Sequence, residues 1–112
     1  MNSIDIIRKE YKKQITNVDG SLTGDANNIK WGIVNTLSEL IYAKGMYDDI
    51  EILSQAIAYI FELTSKDFVS LTVDKDNYFK GFCTSKIRDT FFSDLESIKR
   101  IVKIQNILNE NN

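Results

Sequence analysis

Four stretches of this 112-residue chain place apolar residues at steps of three and four. That spacing lines one face of an α-helix, whereas a strand would alternate in twos. Ser3 is the expected cap of a first helix carrying Ile4, Ile7, Tyr11, Ile15 and Val18. Turn-forming residues fill 19–25, and a second helix starts near Ala26 with Ile29, Ile33, Leu37 and Leu40 on one face, widened by Val34 and Ile41. Gly45 occupies its stop position.

Asp48 and Asp49 suit the first turn of a third helix, where acids favour the positive end of the helix dipole. This helix, with Ile50, Leu53, Ile57, Ile60 and Phe61, is expected to reach Thr64. Ala56, Tyr59 and Leu63 broaden its apolar arc, which predicts the most buried helix. Thr84 or Ser85 starts a long last helix striped by Ile87, Phe91, Leu95, Ile98, Val102 and Leu108, and residues 109–112 should fray. Between the third and last helices, Phe68 to Val73 alternates and Tyr78 to Phe82 could return beside it, so 66–83 reads as either a β-hairpin or an irregular crossover. The expected architecture is all-α, a small four-helix bundle in one domain spanning 1–112.

Apolar residues at 43% and charged residues at 27% are ordinary globular usage, which excludes a disordered tail or a disulfide scaffold as the main theme. A domain of this size buries roughly two-thirds of its unfolded surface, enough for a core. The apolar runs are too short for a membrane span, and the N-terminal residues lack a signal peptide's compact apolar stretch. A cytoplasmic location is expected, in keeping with the single cysteine, Cys83. Ile, Asn and Lys supply 37 of 112 residues, a bias that AT-rich coding produces, so the source reads as a low-GC bacterium or its phage.

The net charge of −2 is unevenly placed, at +2 over 1–16, −6 over 17–76 and +2 over 86–108. The ends are basic and the middle acidic.

Chemistry is constrained most by what is missing. No histidine is present, which removes the commonest general base near neutral pH and the commonest transition-metal ligand, and one cysteine cannot build a thiolate zinc site. Cys83 and Arg88 are separated by four residues with no glycine, one residue short of a phosphatase phosphate loop, so Cys83 reads as a structural thiol. Asp19, Ser21 and Thr23 imitate the start of a calcium loop, but its twelfth position is Lys30, and an Asx-type turn is the better reading. No glycine loop for phosphate occurs. The expectation is a chain that is not an enzyme and holds no cofactor or metal.

Two surfaces carry apolar excess. On the second helix, Trp31, Asn35, Ser38 and Tyr42 form one strip outside the main apolar stripe, and aromatics beside small polar groups are typical of protein-binding hot spots. On the last helix Ile104, Ile107 and Phe92 fall off the core stripe, which suggests self-association as a homodimer. A basic face is a third candidate. Arg8, Lys9, Lys12 and Lys13 would join Lys99, Arg100 and Lys103 if the terminal helices were neighbours.

The leading expectation is a small non-catalytic inhibitor or immunity-type protein that occludes a protein partner. Bacteriocin immunity proteins and inhibitors of host or defence machinery include helical bundles of this size, an analogy of fold alone. The alternative is a phage or plasmid regulator that contacts nucleic acid through basic terminal helices. A weak enzyme centred on Cys83 ranks third.

Overall fold

The apolar stripes become helices. The computed structural model describes residues 1–63 and 83–110, the last two without their side chains. In chain order these hold α1 (Ser3–Ile15), α2 (Ala26–Ala43), a 3₁₀ turn (Tyr47–Asp49), α3 (Ile50–Ile60), α4 (Ser85–Ser93) and α5 (Leu95–Glu110). The protein is a small all-α bundle of five helices, with no strand among the described residues. The hairpin or crossover expected at 66–83 lies outside those residues, apart from Cys83.

α1 packs chiefly against α4, and α3 against α5. Cross-helix contacts fix the directions. Ser3 Oγ donates to the Asp94 carboxylate, and Lys86 lies 3.9 Å from Glu10, so α1 and α4 run antiparallel. Lys99 reaches Asp49 at 2.8 Å and Asn106 reaches Gln55 at 2.6 Å, so α3 and α5 run parallel. One core cluster takes side chains from all five helices, among them Ile7, Ile33, Leu37, Leu53, Ile60, Ile87, Phe91 and Ile98. Each such side chain, fully buried, contributes about 1.5–3 kcal/mol relative to exposure. α3 exposes only Glu51 and Ser54 among its residues, as its broad apolar arc requires.

Local chemistry sets most helix ends. Gly45, at φ +69°, donates to the Tyr42 carbonyl at 3.0 Å while Met46 donates to Ile41 at 3.1 Å. This pair of bonds closes α2 as a Schellman turn, where glycine accepts the left-handed conformation without a Cβ penalty. Thr84 Oγ1 accepts the Ile87 N–H at 3.3 Å and caps α4.

Other ends differ from the sequence reading. The cap of α1 is Asn2, whose Oδ1 accepts the Asp5 N–H at 2.9 Å, which frees Ser3 for Asp94. α1 stops at Ile15 because a tight turn follows, pinned by Thr23 N–H on the Ile15 carbonyl at 2.9 Å and Asn17 N–H on Ser21 at 2.8 Å; Val18 stands fully exposed there instead of extending the stripe. α3 ends at Ile60, short of Thr64, where Leu63 N–H turns back to Ala58 at 2.9 Å. The expected single last helix is broken at Asp94 into α4 and α5. Asp94's carbonyl accepts the Ile98 N–H at 3.1 Å, so it opens a new helix. Leu108, read as core, is half exposed near the end of α5.

Candidate protein-binding surface

The Trp31/Asn35/Ser38/Tyr42 strip divides along its length. Trp31 is 7% exposed and belongs to the core cluster, Asn35 and Ser38 are half-buried, and Tyr42 is 56% exposed. Trp31 and Tyr42 sit within roughly 20° of each other around the helix but roughly 16 Å apart along it. α2 is enclosed all round just before its midpoint, where Trp31, Gly32, Ile33 and Val34 are buried in succession, while Asn27 and Asn28 in its first turn are exposed. Its last turn is open, and only there does the strip reach solvent.

The Gly45 turn gives Tyr42 a neighbour. It reverses the chain so that Tyr47, 63% exposed, brings its ring centroid 6.2 Å from that of Tyr42 at 56°. The two exposed rings offer a large amphipathic surface. Tyr47 lies outside the strip expected from the sequence. The signal that could have found it is its place two residues after the helix-stopping Gly45, where the chain reverses beside the last turn of α2.

The aromatic end extends towards α4. Lys44 Nζ lies 4.9 Å above the ring of Phe92, which in turn packs edge-on against the buried Phe91 at 5.0 Å. Phe92 is therefore half-buried and covered partly by Lys44. Ile104 and Ile107, its companions in the proposed self-association surface, lie in the later turns of α5, where they and Leu108 are each about half exposed on the outer face.

Charges around the tyrosines are mainly acidic. Asp48 and Glu51 are exposed, Glu96 is exposed, and Asp49 accepts from Lys99 Nζ, which also contacts Glu96 at 3.2 Å. The hydrogen bond that Lys99 donates to Asp49 holds its ammonium above its ordinary pKa.

That pairing takes Lys99, only 13% exposed in its side chain, out of the basic face expected for nucleic acid. Arg8 leaves it too, since its guanidinium caps the end of α3 through the carbonyls of Ile60 at 3.0 Å and Tyr59 at 2.7 Å. Lys9, Lys12 and Lys13 remain exposed and, with Thr16, line a shallow concavity of about 400 Å³. The main neighbour of α1 is α4, not α5.

Two smaller candidates resolve into structure. Asp19 accepts the Ser21 hydroxyl at 2.6 Å and its N–H at 3.0 Å, the Asx-type turn, and these bonds lower its pKa. Burial raises the Cys83 thiol to about 11, with the charge of Arg88 opposing, so the thiol is protonated near neutral pH and packs on the core. Among the described residues no helix is long and apolar enough to cross a membrane. Compared with known proteins, the chain matches no family model, no curated protein and no solved structure.

Proposed function

We propose that this chain is a non-catalytic inhibitor or immunity-type protein of a low-GC bacterium or its phage, which occludes a protein partner with the surface centred on Tyr42 and Tyr47. The observation that carries this reading is the exposed, ring-to-ring tyrosine pair held on a hydrogen-bonded helix end. Tyrosines dominate protein hot spots because they bury large area while fixing few rotatable bonds. A pair already braced by a Schellman turn loses little freedom on docking, which leaves more of the contact energy as affinity. Within this reading Trp31 anchors the first half of α2, and Asn35 and Ser38 flank the approach to Tyr42.

The test replaces Tyr42 and Tyr47 together by Ala and measures binding to the protein that the wild-type chain captures from a low-GC host lysate. A loss of about tenfold or more with an unchanged helical CD spectrum is expected, since hot-spot tyrosines cost about 2 kcal/mol or more on truncation. Wild-type affinity in the double variant overturns the site.

Self-association through Ile104, Ile107 and Leu108 is a companion proposal, supported by three half-exposed aliphatic side chains on one helix face. Three side chains fall well short of the ~800 Å² per partner of a standard interface, so the dimer would be weak. The nucleic-acid alternative rests on the exposed Lys9, Lys12 and Lys13. It requires binding that falls steeply with added salt.

A further inference from the structure

We infer that the face the tyrosine pair docks against is cationic, a protein segment presenting Arg or Lys side chains. This inference rests on the protein-binding reading above and names the chemistry of the partner.

The tyrosines stand well inside the acidic middle of the chain. Asp48 follows Tyr47 directly, Glu51 lies three residues beyond it, and both are exposed with no ion pair among the described residues. Asp49 and Glu96 complete a set of four carboxylates, against which stand Lys99 and Lys44. Lys99 is held between Asp49 and Glu96 and is largely buried, whereas Lys44 lies over Phe92 and stays exposed, so one exposed cation among the described residues stands against the exposed Asp48 and Glu51. The acids at Asp48 and Glu51 face solvent. A surface with negative ring faces and unneutralised carboxylates attracts a guanidinium or ammonium in two ways, by stacking on tyrosine and by pairing with the acid. It repels an acidic partner or a nucleic-acid backbone at the same place. The basic patches of this chain lie elsewhere, at Lys9, Lys12 and Lys13 on α1 and at Arg100 and Lys103 on α5.

The test uses the full chain, labelled with ¹⁵N, titrated with an eight-residue peptide alternating Arg and Gly and separately with its Asp/Gly counterpart. The expected result is that the Arg/Gly peptide shifts amide resonances at residues 42–51, weakens with added salt, and binds about three- to tenfold more weakly to Asp48→Asn/Glu51→Gln, whose CD spectrum matches wild type. Shifts centred elsewhere, equal binding of the Asp/Gly peptide, or unchanged affinity in the acid variant each overturn the inference. The partner captured by the wild-type chain separates the two readings. If Tyr42→Ala/Tyr47→Ala abolishes that capture while Asp48→Lys/Glu51→Lys leaves it intact, the tyrosine surface stands and its cationic partner falls. If the tyrosine variant captures the partner normally, the function reading itself falls.

Discussion

The guanidinium of Arg8 lies 4.7 Å above the ring of Tyr59 and, on the same residue, donates a 2.7 Å hydrogen bond to the main-chain carbonyl. One side chain thus fixes both the ring and the last turn of α3. The carbonyls at a helix C-terminus have no partner within the helix and carry its negative dipole end, so a fixed cation there compensates both.

Arg8→Ala should lower stability by about 2 kcal/mol, the scale of two hydrogen bonds to a charged donor together with lost stacking. Arg8→Lys should recover only part of the loss, because an ammonium cannot hold two carbonyls and stack as a planar guanidinium does. Urea unfolding of the three proteins gives the ranking. Equal midpoints would show that the cap is replaced by water without cost.

Glu62 follows α3 at φ +53°, the position that Gly45 occupies after α2. A side chain there carries a penalty that glycine avoids. Glu62→Gly should therefore stabilise the protein by about 0.5–1 kcal/mol, the gain in the native turn being offset in part by the greater freedom of glycine when unfolded. The same substitution at Asp19, in a turn without positive φ at that residue, should not stabilise. Thermal melts of both variants decide it.

Asp94 joins α5 to α1. Hydrogen bonds from Ser3, then Ser97, lower its carboxyl below the ordinary 3.8. A carboxyl whose folded pKa is depressed contributes stability above its unfolded pKa, and that contribution disappears as pH falls through the folded value. Asp94→Asn should lower Tm by about 2–5 °C at neutral pH, with the difference from wild type closing below about pH 3.8 as the native acid protonates. A gap that stays constant down to pH 2 would contradict this role.

Cys83 should react slowly with Ellman's reagent at neutral pH, because burial keeps the thiol protonated up to about 11. The rate should still be climbing between pH 9 and 10, beyond the point where an exposed thiol with a pKa of about 8.5 has levelled off. A plateau by pH 9 would place the thiol in solvent.

The periodicity of apolar residues was sufficient for the helical class, and local residue types set the stop at Gly45 and narrowed the cap of α4 to Thr84 or Ser85, of which the structure uses Thr84. Each depends on groups within one or two turns, and local hydrogen-bond geometry is written into local sequence. The same periodicity misread the break at Asp94, because Ile87, Phe91, Leu95, Ile98 and Val102 keep step across it. The carboxylate there is held by Ser3, which lies 91 residues away. The site behaved likewise. A helical projection puts Trp31 and Tyr42 at nearly one angle, yet carries no information about which part of the helix its neighbours enclose.

The sequence by itself determined that this chain forms amphipathic helices without the side chains for the commonest catalytic and metal chemistry, since spacing and composition are properties of the chain alone. Tertiary structure decided which aromatic is anchor and which is surface, and which cations are free. Trp31 is enclosed while Tyr42 meets Tyr47, and Arg8 and Lys99 are drawn from the basic face to the two ends of α3. The physical reason is that burial and charge pairing depend on which helices lie side by side, and that is fixed only when all the apolar faces are packed at once.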